Sequence, residues 1–254
     1  MITFYLENKK YQNNFEIKNI SLEIHQGKCT ALIGHNGSGK TTILNSLLGH
    51  LQYKGVLEVD DRILHIQEKN SDFDCLKSKI AYISDEALLF DFLTIDEYFN
   101  LIQKNSFNKI DIQYIELLID IFKIQKYRNT LIEDLSFGTK KKVQIIAQLA
   151  KKTNYIVFDE PTNGLDPDMI IILKKLIHKL LAENIGVLIS THQLKFCEDL
   201  SDEIVIIQNG ECILNDTTSS IYEMYDTHDL EEIYTSLNSD LYEKVGEYIE
   251  TIQY

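Results

Sequence analysis

This sequence predicts an α/β fold with a mostly parallel core sheet, an antiparallel β edge and an inserted helical subdomain. Three observations carry that prediction. Residues 29–33, 155–158 and 186–189 are short apolar runs that end in polar residues, the pattern of strands buried on both faces. Residues 2–33 hold shorter alternating runs, such as Phe15, Ile17, Ile20, Leu22 and Ile24, which suit strands with one covered face. Over residues 94–152 the apolar period becomes helical.

Taken in order, residues 29–33 form a buried strand, and a glycine-rich turn leads from it into a helix over 42–48. Residues 55–59 and 79–84 read as further strands. Thr94 with Glu97 is the spacing of a capping box, in which each side chain satisfies a free amide at a helix start. Ile112, Ile115, Leu118, Ile119 and Phe122 make one helical stripe, mostly facing the core. Ser136 suits the N-cap of a helix over 140–151. After the strand at 155–158, residues 168–181 are helical, followed by the strand at 186–189. Residues 203–208 and 211–214 form a hairpin, since Asn209-Gly210 fits a type I′ turn. In the tail, Leu230, Ile233, Tyr234 and Leu237 make one helical stripe. Leu241, Val245, Tyr248 and Ile252 make another, opened by Asp240 and Glu243. These stripes either cap the domain or meet a partner. The division expected is one domain over 1–217, with the helical subdomain at about 86–153, and a helical extension over 218–254 packed on it.

The chemistry lies at the ends of the strands. Residues 34–41 read G-H-N-G-S-G-K-T, the phosphate-binding pattern G-x-x-x-x-G-K-[ST] in its strand–loop–helix setting. Gly34, Asn36, Gly37, Ser38 and Gly39 curl the backbone so that successive N–H groups face one anion, at a helix N-terminus that includes Thr42. Lys40 adds a full charge near the outer phosphates, and the Thr41 hydroxyl is placed to hold Mg²⁺. Asp159 and Glu160 close the run at 155–158 and so reach the sheet edge where α/β folds bind ligands. Asp159 suits the metal shell and Glu160 the activation of a water. Ser136, the backbone of Gly138 and the helix that follows make a second anion site. Lys140, Lys141 and Lys142 in its first turn are either a solvated face or a local positive field. His192 ends the next strand at the same edge, within reach of a terminal phosphate.

Bulk properties narrow the class. The net charge of −14 repels phosphate backbones and argues against nucleic acid as a partner. Four cysteines, Cys29, Cys75, Cys197 and Cys212, show no C-x-x-C spacing, so neither a disulfide framework nor a zinc site is expected and a reducing cytosol fits. No apolar run approaches the roughly 18 residues of a membrane span. Work at a membrane would require spans from another chain.

The ordered set of motifs resembles the ATP-binding-cassette (ABC) ATPases, the nucleotide-binding subunits of transporters. It comprises Walker A at 34–41, the signature at 135–139, Walker B at 156–160, the D-loop Gly164-Leu165-Asp166 and the switch His192. The likeness covers about residues 2–215. The segment after Thr94 and the helical tail resemble the bacterial type-2 exporter group, which serves drug, peptide and lantibiotic efflux. The resemblance implies ATP and Mg²⁺ as ligands, Glu160 as base with Lys40 and His192 beside it, and a head-to-tail dimer with a second ATPase subunit. In that dimer Ser136 and Gly138 would meet the γ-phosphate on the partner's loop. It also implies a membrane-spanning permease as partner, and hence a place on the cytoplasmic face of the cell membrane. Tyr11 would stack on adenine, a role for which Tyr5, Phe4 and Phe15 compete. The chain departs from the family at Phe137 and Thr139, where the signature is usually L-S-G-G-Q. It departs again at Asp85, where a metal-contacting glutamine is usual; Asp85 either reaches the metal or faces solvent. The rival class is a soluble ABC ATPase of protein assembly.

Overall fold

The computed structural model describes residues 1–11, 15–65, 70–239 and 245. Its centre is one sheet assembled from the apolar runs. In chain order the elements are β1 (Ile2–Lys10), β2 (Glu16–Ile24), β3 (Cys29–Ile33), α1 (Lys40–Leu47), β4 (Lys54–Val59), β5 (Arg62–Ile63), α2 (Asn70–Lys79) and β6 (Ile80–Ile83). The helical subdomain follows as α3 (Ile95–Asn105), α4 (Ile112–Ile121) and α5 (Phe137–Leu149). Then come β7 (Tyr155–Asp159), α6 (Pro167–Ala182), β8 (Gly186–Thr191), α7 (Leu194–Glu198), β9 (Glu203–Gln208), β10 (Glu211–Thr217), α8 (Thr218–Tyr225) and α9 (Leu230–Leu237).

Among these strands the order is β5-β4-β1-β2-β10-β9-β3-β8-β7-β6. The half from β9 to β6 is parallel, and the half from β5 to β2 is antiparallel. Every residue of β3, β7 and β8 is buried, as parallel strands covered on both faces must be. Alternate side chains therefore serve two cores. Ala31, Ile33, Ile156 and Phe158 join Phe99, Leu118, Ile146 and Leu173 on the face of the helical subdomain and α6. Leu32, Val157 and Leu188 join Ile43 and Leu47 of α1 with Phe4 and Ile20 of the antiparallel half.

Local signals hold where they rest on specific chemistry. Thr94 and Glu97 make both halves of the capping box. Asn209 and Gly210 both take positive φ, 49° and 82°, as the hairpin turn requires. α5 starts at Phe137, three residues earlier than its periodicity predicts, because Ser136 caps it by accepting from the Thr139 amide. The stripe on α4 is core-facing except Ile112, which is exposed at the first turn. The sequence reading has no counterpart for β5 and α2. α2 buries only Asp72 and Leu76, and Asp72 is held by Arg62 and the His65 amide. On α9, Leu230 and Ile233 are fully buried, with Tyr234 and Leu237 packed beside them in the same core as Phe158. The stripe at 241–252 lies outside the described residues except for Val245.

Candidate nucleotide site

Parallel pairing fixes the site. Ile33 lies opposite Thr191 on β8, and Asp159 opposite Ser190. The three segments that leave these strand ends carry Gly34, Glu160 and His192, so residues about 30 to 160 apart in sequence emerge at one edge.

The loop from Gly34 wraps the start of α1. Gly39 takes φ +113°, a conformation side chains rarely adopt, and a Cβ there would stand 2.9 Å from Ile17 Cδ1. No side chain caps α1, so its first amides are free to bind an anion. The Ser38 hydroxyl is buried without a hydrogen-bond partner. Lys40 is only 6% exposed. Its ammonium donates to the Gly34 carbonyl at 2.7 Å and lies 3.3 Å from Glu160 Oε1. Free amides and a folded-back lysine are donors that suit a phosphate. Gly37, Gly39 and Lys40, but not Ser38, line a cleft of about 400 Å³ together with Tyr11, Phe15, Thr41, Thr42, Asp85 and Glu160.

Of the competing aromatics, Phe4 is in the core and Tyr5 points its hydroxyl at Asn19. Tyr11 and Phe15 both reach the cleft, their ring centres 6.2 Å apart, and the Tyr11 hydroxyl is 3.3 Å from Thr42 Oγ1.

Glu160 takes φ +45°, left-handed backbone that costs a non-glycine residue about 1–2 kcal/mol. Its amide donates to the Ser190 carbonyl at 2.9 Å. Its carboxylate is held by position more than by hydrogen bonds. Oε2 accepts from Thr191 Oγ1 at 3.2 Å. Oε1 is within ion-pair distance of His192 Nδ1 (3.0 Å) and Lys40 Nζ (3.3 Å), yet has no aligned donor. Asp159 is more deeply set: Ser190 Oγ donates to one oxygen and the Tyr82 hydroxyl to the other, at 3.3 Å. Burial pushes its carboxyl above the usual range, and those two donors pull it partly back.

Asp85 lines the cleft and accepts from Asn163 Nδ2 at 2.8 Å. Thr41 is exposed at the cleft mouth. Among the described residues no three His, Cys, Asp or Glu side chains gather as a metal centre. That donor chemistry fits a hard cation held by one or two protein oxygens together with substrate phosphates, as Mg²⁺ commonly is.

The residues expected to form a second anion site lie elsewhere on the chain. Ser136 is exposed and Gly138 half-buried at the start of α5, and neither lines the cleft. A Cβ on Gly138 would come 2.4 Å from the Gly164 carbonyl, and one on Gly164 (φ +74°) would meet the Phe137 ring at 2.2 Å. The two segments thus rest on each other through contacts that glycines permit. The three lysines after them are not a uniform solvated face. Lys140 pairs with Asp91 and Lys142 with Asp166, while Lys141 is fully buried. Sequence reasoning did not single out Lys141's inward turn, Tyr82 or Asn163. The only signal for Lys141 is that α5 is apolar around most of its circumference.

Fold and site together define a P-loop nucleotide-binding protein. The model of the ABC transporter family matches residues 17–163. The ABC transporter ATP-binding protein NatA of Bacillus subtilis is 30% identical over 247 residues, 93% of this chain and 97% of that protein. The L-cystine import ATP-binding protein TcyC of the same organism is 31% identical over 219 residues, covering 83% and 87% of the two chains. A solved structure of an ATP-binding subunit of an ABC transporter superposes with a TM-score of 0.84 at 24% identity, covering 94% of this chain and 99% of that one. The chain belongs to the ABC transporter family, as one of its ATP-binding ATPase subunits.

Proposed function

We propose that this ATPase works as a head-to-tail dimer with a second ATPase subunit, a second copy of itself in the simplest case. Closure on two ATP molecules would drive a separate membrane-spanning partner in the export direction, for drug, peptide or lantibiotic-type cargo. The observation that carries the reading is the buried Glu160 carboxylate, poised between Lys40 and His192 at the mouth of the phosphate loop.

In this reading the ATP triphosphate lies across the amides of residues 34–41, with adenine against Tyr11. Lys40 leaves Glu160 for the β- and γ-phosphates. Glu160, released from that pair, takes a proton from the attacking water, and His192 orients it from the other side. A group in such a role contributes about 10²–10⁴-fold in rate. Thr41, with Asp159 and Asp85 behind it, would hold Mg²⁺, which would supply charge neutralisation on the phosphate oxygens. Fixed donors at the loop stabilise the charge that develops in the transition state.

Two features support partners. Ser136 is exposed and Gly138 half-buried at a helix start outside the chain's own cleft, so a phosphate there would have to come from another subunit. A groove of about 330 Å³, with His50, Tyr82, Phe107 and Lys151 among its walls, lies where the phosphate-loop half meets the helical subdomain. A helix of the membrane partner seated there would touch both halves. Among the described residues no helix is long and apolar enough to cross a membrane, so the chain would sit on the cytoplasmic face through that partner. The helices after β10, α8 and α9, are the feature that favours the exporter grouping.

The test is a tagged pull-down from gently solubilised native membranes. A stoichiometric polytopic membrane protein is expected. Recovery of soluble partners alone would replace the transporter reading with an assembly ATPase.

A further inference from the structure

One ammonium in the core takes no part in the chemistry described so far. Lys141 is fully buried on α5, one turn after Ser136 and Gly138. It donates to the carbonyls of Ser84 at 2.7 Å and Asp85 at 3.1 Å. Gln144, on the next turn, donates to Ser84 Oγ at 2.7 Å and to the Glu86 carbonyl at 3.1 Å. α5 therefore clasps three successive residues beyond β6. From the other side, Asn163 holds the Asp85 carboxylate.

Two carbonyls do not need a charge. A neutral amide donor would serve them without the desolvation penalty of burying an ammonium. What does need a charge is the set of carboxylates nearby. Burial pushes the Lys141 ammonium down to about 8, and Asp85, Asp159 and Glu160 all act on it in the opposite sense. Lys40 also faces this cluster, but as a mobile partner: its contact with Glu160 must break when it turns to phosphate. Lys141, locked by two carbonyls, cannot leave.

Building on the nucleotide reading of the cleft, we propose that Lys141 is a positioning residue. It is a fixed positive charge at the Asp85 segment of the cleft wall, and it ties the backbone of Ser84 and Asp85 to the helix carrying Ser136 and Gly138.

The experiment is a double-mutant cycle on full-length protein, titrating a fluorescent ATP analogue with EDTA and then with Mg²⁺. In EDTA, Lys141→Gln should weaken binding about tenfold, because the triphosphate then meets the carboxylates without the countercharge. With Mg²⁺ the loss should shrink to about threefold. Lys141→Arg should retain most of the affinity. The decisive variant is Asp85→Asn/Lys141→Gln, which should recover to within about threefold of wild type in EDTA. Equal losses from Lys141→Gln in the wild-type and Asp85→Asn backgrounds would overturn the proposal and leave Lys141 a packing residue. If Lys141→Gln does not fold, melting puts the same question: the double variant should regain a cooperative transition, and its failure to do so overturns the countercharge role. Wild-type protein that binds no nucleotide would instead overturn the reading of the cleft itself.

Discussion

Strand β7 carries a polar cluster at each end, and the two are built on opposite rules. At its first residue, the Tyr155 hydroxyl donates to Asp60 at 2.6 Å, and Lys79 reaches the other Asp60 oxygen at 2.8 Å. The amino group of Met1 completes the cluster, 3.1 Å from Asp60. Burial works against the Asp60 charge, yet the Lys79, Tyr155 and N-terminal donors outweigh it and hold its carboxyl at about 2. At the far end the balance is reversed. Asp159 is pushed up, Glu160 sits on left-handed backbone, and Glu160 Oε1, Ser38 Oγ and Thr162 Oγ1 are buried without aligned hydrogen bonds. One strand thus has a saturated end and an under-satisfied end. Polar groups left short of partners are costly in a core, and of these only Glu160 lines the cleft, where an attacking water would give its carboxylate a donor. The first cluster holds the fold, and the second is held by it.

The largest effect expected from breaking this contrast is at Glu160. Glu160→Gln should lower ATP turnover by about 10²–10⁴-fold while keeping ATP affinity. Light scattering should show an ATP-bound dimer accumulating in MgATP. Because the change removes a poorly satisfied buried charge, the variant should melt no lower than wild type. A monomer at saturating MgATP would contradict the shared site, with Phe137 the first residue to vary. Next in size is Gly164→Ala. The added methyl has both an unfavourable φ and the Phe137 ring against it, so turnover should fall about tenfold and stability by roughly 1–2 kcal/mol from the backbone conformation alone. Phe137→Ala in the same chain should return part of the activity by opening space, leaving only the backbone strain. An unchanged loss would show that the ring contact is not what links these segments.

The second end of β7 was far more legible in the sequence than the first. Glycines at fixed spacing, an apolar run closing on two acids and a histidine at the next strand end are local signs of chemistry that needs them. The order of those runs also implied parallel strands, which bring the signs to one edge. Tyr155, Asp60 and Lys79 carry no such mark. Their cluster exists only because β7, α2 and the turn after β4 meet at the sheet's other edge, and Tyr155 and Asp60 are 95 positions apart. Lys141 escaped for the same reason: its acceptors lie 57 and 56 residues away, and periodicity alone does not tell an inward lysine from an outward one. Elements with few apolar residues, β5 and α2, gave no periodic signal at all.

The smallest effect concerns the saturated end and separates it from the end at the cleft. Asp60 has its carboxyl lowered from 3.8 to about 2 in the folded chain. A carboxyl lowered on folding stabilises the protein above its unfolded pKa, and that contribution fades as pH falls from about 4 toward 2. Asp60 is one-third exposed, so after allowance for solvent screening the contribution is about 1 kcal/mol. Asp60→Asn should therefore be about 1 kcal/mol less stable than wild type at pH 7 by urea unfolding. The gap should narrow between pH 4 and pH 2 as wild-type Asp60 takes up its proton. ATP turnover at pH 7 should stay within about twofold, because the cluster lies at the opposite end of β7 from the cleft. A gap that stays constant through acid would mean that hydrogen-bond geometry, not charge, is what Asp60 contributes. A large loss of turnover would mean that the two ends of the strand are coupled, and the division of labour along β7 would fail.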